Sequence, residues 1–380
     1  MTAAAFAAGR PTSRGSSRTA LAGLVISLAA TLTLAPSTAH AAAPPGFVGL
    51  QSWNHATGAN FQGLQKARIS TYRIHLNWAA VEPVEPVGDC RSATGCKHEP
   101  YRWDRFDPIF ENAGRSAIRV MPVLLGSPSW AASKQQNPPM HASDRQAFYD
   151  FAEAAAERYG PRSSFWRERG LDGAGVGAKY FQVWNEPTLP NYWNNRPNAA
   201  EYAAMVKGTF TAVKAGDSSA TTILAGMPWS SAGPTPPDFW RSMFKADPRI
   251  FKYFNAAAIH PYARTPSLAI SGVRTAASTL RSLTPRYPRS IWVTEMGWAT
   301  PHPDGRFQVS ERDQASYLKS FYDKLLAIKD RDRIAGAIWF SLQDRSGADW
   351  WAERTGLLRA SGSAKPSWAR MRCVTGALRC

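Results

Sequence analysis

Eight short apolar runs, separated by stretches of helical periodicity, constrain this chain more than any other feature of it. They lie at Phe47–Gln51, Thr71–Leu76, Ala117–Leu125, Lys179–Trp184, Thr222–Met227, Ala256–His260, Ser290–Glu295 and Ala335–Ser341. Several are β-branched and apolar on both faces, as a parallel strand covered on both sides should be. Between them, Ser143-Asp144-Arg145-Gln146 reads as a capping box ahead of apolar Phe148, Phe151, Ala152 and Ala155, with Gly160 as a stop. Ser310 opens another helix, with Tyr317, Leu318, Phe321, Leu325 and Ile328 on one face. Residues 199–215 and 266–283 read as helices too. Alternation repeated eight times predicts an α/β fold, a (β/α)8 barrel in a single domain. An open doubly wound sheet is the alternative, but no Gly-rich phosphate turn follows the first strand.

The barrel pattern begins only after residue 41. Before it, Arg10, Arg14 and Arg18 precede an apolar run of 14 residues, Leu21–Leu34, and Ala39-His40-Ala41 offers a small-residue cleavage pattern. Charged head, apolar middle and small-residue exit together read as a secretory signal peptide over 1–41, leaving 42–380 as the barrel domain. The run is short for a membrane anchor, and no later stretch is long and apolar enough to span a bilayer. Cysteine usage fits export. Cys90/Cys96 and Cys373/Cys380 are expected to form two local disulfides that pin a surface loop and the C-terminus. A zinc site at Cys96 and His98 has the wrong ligand spacing, so no metal and no cofactor is expected.

A barrel of this kind carries its chemistry at the C-terminal ends of its strands. Reading those ends in order gives Arg73-Ile74-His75-Leu76-Asn77-Trp78, Gly126–Trp130, Trp184-Asn185-Glu186-Pro187, Gly226–Trp229, His260-Pro261-Tyr262, Thr294-Glu295-Met296-Gly297-Trp298 and Trp339-Phe340-Ser341. Glu186 and Glu295 fall on the fourth and seventh strands. Two carboxyl groups about 5–5.5 Å apart can cleave a glycosidic bond with retention, one attacking the anomeric carbon and the other acting as acid and then base. The two must sit in unequal environments, one protonated and one ionised. Either Glu alone would more simply be a cap or a solvated charge; the pair, flanked by Asn185 and Tyr262, points to catalysis.

These motifs resemble a known family. Trp184-Asn185-Glu186-Pro187 and Thr294-Glu295 look like the acid/base and nucleophile strands of retaining glycoside hydrolases of clan A. The wider stretch Trp184–Trp193 is similar to family 39, with Thr188 where members usually show Asn. The resemblance implies a TIM barrel with Glu186 as acid/base, Glu295 as nucleophile and Asn185 as donor to the sugar 2-hydroxyl. It further implies that Arg73 and Tyr262 hold Glu295 ionised, that His260 lines the site beside Glu186, and that Trp339 is the floor under the sugar. His75 shares a strand face with Arg73, and its role stays open. Asp344, Asp349 and Glu353 read as loop charges.

Fifteen Trp is a high count. Trp78, Trp130, Trp193, Trp229, Trp298, Trp339, Trp350 and Trp351 all follow strand ends, and indoles stack on pyranose faces. Trp193 and Trp298 are thus further candidates for substrate contact. The net charge of +17 comes from scattered basic residues without a Lys/Arg run or stacking module, so a nucleic-acid partner is not expected. No Gly-x-Ser-x-Gly elbow suggests a serine hydrolase. The sequence therefore predicts a secreted, monomeric retaining β-glycosidase acting on a β-linked glycan, and the basic charge is compatible with an anionic one. The competing reading is a carbohydrate-binding barrel at the cell envelope that has lost catalysis.

Overall fold

Eight parallel strands close on themselves in the computed structural model, which describes residues 42–380 apart from 54, 55, 89, 91–95 and 348. The expected signal peptide lies outside the described residues. The strands are β1 (Val48–Gln51), β2 (Thr71–Asn77), β3 (Arg119–Leu125), β4 (Tyr180–Val183), β5 (Thr221–Pro228), β6 (Ala256–His260), β7 (Ser290–Met296) and β8 (Ile334–Phe340). Their order around the barrel is β1-β8-β7-β6-β5-β4-β3-β2, the ring of a (β/α)8 TIM barrel. One main helix follows each strand: α1 (Gly58–Lys66), α2 (Asp107–Arg115), α3 (Ala142–Tyr159), α4 (Ala199–Gly216), α5 (Pro236–Ala246), α6 (Pro266–Leu283), α7 (Glu311–Ile328) and α8 (Pro366–Val374). No helix among the described residues is long and apolar enough to cross a membrane.

Local chemistry sets the helix ends. Ser310 caps α7 by accepting from the Asp313 amide, and Thr265 and Thr235 cap α6 and α5 in the same way. The capping box expected at Ser143 does not form. Helix α3 starts two residues earlier behind His141, which makes no side-chain cap. Ser143 is already helical there, and its hydroxyl bonds Asp144 at 3.0 Å instead of a backbone amide. Gly160 does end α3, because a Cβ would come 2.4 Å from both the Ala156 carbonyl and Asp217. Both expected disulfides are formed, Cys90–Cys96 and Cys373–Cys380.

Strand alternation sorts the core into two layers. Outward-facing residues such as Leu50, Tyr72, Ile74, Phe181, Val293 and Trp339 pack with the helices. Inside the barrel, Met121, Ile223, Ala256, Ala258, Trp292 and Ile338 form a separate apolar plug. The Trp292 indole dominates that plug and fits because Gly336 and the alanines of β6 leave room; a Cβ on Gly336 would lie 2.3 Å from it. The plug closes the barrel below the inward polar groups at the upper end.

Candidate active site

Four inward positions near the strand tops carry polar side chains instead of apolar ones: Gln51, Arg73, Gln182 and Thr294, each buried. Arg73 is the hub. Its Nε donates to Gln182 Oε1 at 2.7 Å, Nη2 to Asn185 Oδ1 at 2.8 Å and Nη1 to Glu295 Oε1 at 2.6 Å, with Gln51 Oε1 as a further acceptor of Nη1. A buried guanidinium is tolerable only when its donors are used, and this one is pinned by four side chains, Gln51 of β1, Gln182 of β4, Asn185 just after β4 and Glu295 of β7.

Two backbone irregularities aim the carboxyl groups. Between Ala337 and Trp339 of β8, two steps are matched by three on β7, from Val293 to Met296. This bulge lets consecutive Thr294 and Glu295 both reach inward, which strict alternation forbids. At the end of β4, Trp184 and Glu186 adopt left-handed backbone conformations (φ 65° and 43°), rare for residues other than glycine. The Glu186 amide is held by the Gly226 carbonyl at 3.1 Å. That turn places Asn185 against Arg73 and Glu186 against His260.

His260 lies between the two carboxyl groups. Its Nδ1 is 2.7 Å from Glu186 Oε1 and 3.7 Å from Glu295 Oε2, and its Nε2 is 3.1 Å from Thr294 Oγ1. Gln182 Nε2 donates to the same Thr294 oxygen at 3.3 Å. Gly226 on β5 makes space for the ring: a Cβ there would meet His260 Nε2 at 1.9 Å. Tyr262 donates to Glu295 Oε2 at 3.0 Å. One oxygen of each Glu and one His260 nitrogen lie within 4.8 Å of one another. Such a set has the spacing of a cation site, but Arg73 already supplies positive charge to it.

Their protonation is biased in opposite directions. Burial raises Glu186, and the charge of Glu295 adds to that, against the lowering pull of His260 and Arg73. Glu295 is buried as well, but the charges of His260, Arg73 and His75 and the Arg73 hydrogen bond overcome the burial and bring it below the ordinary carboxylate range. Tyr262 is pushed well up by burial and by the carboxylates, so it stays a hydrogen-bond donor. The arrangement can hold one acid and one anion side by side.

Not every expected residue joins this cluster. Arg73, Asn185, Glu186, His260, Tyr262 and Glu295 come together as described. Trp339, Trp193 and Trp298 do not present a face to a substrate; each is buried. Trp339 donates to the Thr355 carbonyl at 3.0 Å and packs against Trp298, 6.0 Å away, because on β8 it faces the helices and its neighbour Phe340 faces the mouth. Trp298 donates to the Ala263 carbonyl and packs on Tyr317 and Phe321 of α7. Trp193 donates to Glu201 and meets Tyr202 edge-on, bracing the loop after β4 onto α4. Trp78 is likewise buried, donating to Glu82. Polar Gln51 and Gln182 inside apolar strands were the readable sign of the Arg73 network, and they were not singled out. Tyr192, which bonds Asn185, was missed as well.

Residues 132–368 match the family model described as glycosyl hydrolase catalytic core. The chain belongs to that family. It also shares its fold with a family 39 glycoside hydrolase from the gut symbiont Bacteroides cellulosilyticus WH2 (19% identity, TM-score 0.63), covering 87% of this chain and 64% of that one. A monomeric beta-xylosidase from Caulobacter crescentus CB15 aligns with TM-score 0.61 at 16% identity, covering 88% of this chain and 69% of that one. The GH53 catalytic domain of Ignisphaera aggregans aligns with TM-score 0.56 at 18% identity, covering 87% and 97% respectively. The glycosyl hydrolase thus spans just under two thirds of the length of the family 39 enzyme. These neighbours agree with the clan A, family 39-like resemblance of the two Glu motifs. No curated protein matches the sequence.

Proposed function

We propose that this glycosyl hydrolase is an exported retaining β-glycosidase, with Glu186 as acid/base and Glu295 as nucleophile. The observation that carries the proposal is the convergence of both carboxyl groups on His260 in one cluster where Arg73 and Tyr262 bond Glu295, an asymmetry that biases Glu186 upward and Glu295 downward. Glu295, kept ionised by Arg73 and oriented by Tyr262, attacks the anomeric carbon. Glu186 gives its proton to the leaving oxygen, and the positive charge of the transition state develops above the Glu295 carboxylate. Glu186, now ionised, then takes a proton from water that hydrolyses the glycosyl-enzyme ester. Arg73 holds Asn185 Oδ1, which leaves the amide N–H groups for Tyr192 and the sugar 2-hydroxyl.

With Glu295→Ala we expect turnover to be abolished, and added azide to restore part of it as the glycosyl azide of inverted configuration. Full activity in that variant would reject the mechanism. With Glu186→Ala, substrates with good leaving groups should still glycosylate the enzyme while poor ones fail; equal losses would reject the acid/base role. Residues 1–41 are proposed to direct export, with the mature chain beginning at Ala42, checked by N-terminal sequencing of secreted protein. The mature protein is proposed to be a monomer. The sugar is best approached by screening β-xylosides, β-glucosides and neutral and anionic exopolysaccharides with product sizing. A binding barrel without catalysis is disfavoured because both carboxyl groups and their supporting network are present.

A further inference from the structure

Of the aromatic residues at or after the strand ends, Tyr262, Phe340, Trp350 and Trp351 face the mouth, and Trp53 and Phe307 join them. Phe340, Trp53, Trp350, Trp351, Tyr262 and Phe307 form one continuous array. Trp53 meets Phe340 at 5.0 Å and Trp350 at 5.6 Å, Trp350 meets Trp351 at 5.9 Å, and Trp351 meets Tyr262 at 4.8 Å. The array thus runs from the Tyr262 ring, whose hydroxyl is on Glu295, out to the rim. Trp350 is held edge-to-face between Trp53 and Trp351, yet 47% of it is exposed. Trp53 is fixed by its Nε1 donating to the Ala352 carbonyl at 3.1 Å. Beside them Arg345 lies 5.8 Å from the Trp53 ring centre and pairs with Glu353 at 2.5 Å, giving the rim donors and acceptors. A large, orientationally fixed and solvent-facing indole next to a polar pair has the chemistry of a sugar-stacking site.

Its position gives it a direction. Trp53 follows β1, and Trp350 follows β8. In the barrel order β8 lies opposite β4, which carries Glu186, and next to β7, which carries Glu295. In a double displacement the nucleophile lies under the sugar that is retained, and the acid faces the leaving group. A wall beyond Glu295 and opposite Glu186 therefore extends along the retained, non-reducing side of the substrate.

We infer that Trp350, with Trp53 and the Arg345–Glu353 pair, forms a binding site for at least one further β-linked sugar on the non-reducing side of the cleaved residue. The enzyme then releases oligosaccharides from within a glycan in preference to single terminal sugars. This rests on the retaining assignment of Glu186 and Glu295.

The test compares 4-nitrophenyl β-glycosides of mono- and disaccharides in gluco, xylo and galacto configuration, where the added sugar lies on the retained side. In wild type, the disaccharide substrate of the preferred configuration should have the higher kcat/KM. In Trp350→Ala, the ratio of disaccharide to monosaccharide kcat/KM should fall on the order of tenfold, and Trp350→Tyr should restore most of it. An unchanged ratio overturns the inference, as does a wild type that releases only monosaccharide from tetrasaccharides. Calorimetry of one- to four-unit oligosaccharides binding to Glu186→Gln separates this from the mechanism. Affinity that rises with length, and loses that rise with Trp350→Ala added, supports the platform. If wild type nonetheless hydrolyses with inversion, the nucleophile assignment fails and takes the direction of the platform with it. Affinity independent of length overturns the platform even if hydrolysis is retaining.

Discussion

Arg73 ties the asymmetry of the two carboxyl groups to the rest of the barrel. Its guanidinium touches Glu295 directly and reaches Glu186 only through its charge, so it acts chiefly on the nucleophile. The sign follows. Glu295 must be ionised to attack, and Arg73 lowers its pKa; a weaker contact raises that pKa and moves the acid limb of kcat/KM to higher pH. Arg73→Lys keeps the charge but cannot span four acceptors with the same fork. We expect it to lower kcat and to shift the acid limb up by roughly one unit, equivalent to about 1.4 kcal/mol. The alkaline limb belongs to Glu186, which must be protonated, and should move less. A pH profile whose acid limb stays in place would show that Arg73 only props the fold. At the same scale, Trp339 and Phe340 show how far one residue matters. They are adjacent and both aromatic, and strand alternation sends one into the helix layer and the other to the mouth.

Among the elements, the segment that follows the Cys90–Cys96 bridge is held to α3 by a charged clamp. His98 Nδ1 lies 2.5 Å from Glu82 Oε1, and Nε2 lies 3.1 Å from Asp150 of α3. Hydrogen bonds to Asp150 and Glu82 raise His98 from 6.5 to about 9. A histidine raised on folding adds stability that is fully present below its unfolded value and is lost as pH climbs through the folded one. The window is therefore about pH 6.5 to 9. Solvent screening at this partly exposed ring cuts the worth to about 1–2 kcal/mol. His98→Gln should lower the Tm at pH 6, with the deficit shrinking by pH 10. A deficit that is constant across that range would mean that packing, not charge, is what His98 supplies. A second clamp serves the loop after β8: buried Lys365 pairs with Asp344 at 2.7 Å and donates to Thr300, anchoring the segment that carries Trp350 and Trp351.

In the whole molecule, stability resides in the two-layer core and the disulfides only trim it. The two bridges join cysteines six and seven positions apart, loops that each hold back about 2 kcal/mol of chain entropy. Reduction should lower the Tm while leaving the far-UV spectrum and activity at 25 °C intact; loss of helical signal at that temperature would show the bridges to be essential. The architecture was legible in the sequence because it is written in local periods. All eight apolar runs became barrel strands with ends moved by at most two residues, and α6 spans the expected 266–283. The pair Glu186 and Glu295, with Arg73, Asn185, His260 and Tyr262, was legible because the polar break at each strand end is also local. The aromatic surface was legible only in part: Trp350 and Trp351 were marked by their place after β8, whereas Trp53 was not. Trp339, Trp193 and Trp298 follow strand ends as a substrate platform would, yet whether an indole faces substrate or helix depends on register, bulges and the partner it meets in space. The bulge on β7 and the left-handed turn after β4 are likewise set by packing between strands far apart in the chain. The sequence by itself determined the barrel and the identity of its acid pair, through hydrophobic period and strand order. Only the tertiary structure decided which neighbour of each pair faces inward, since one residue of register exchanges the two faces of a strand.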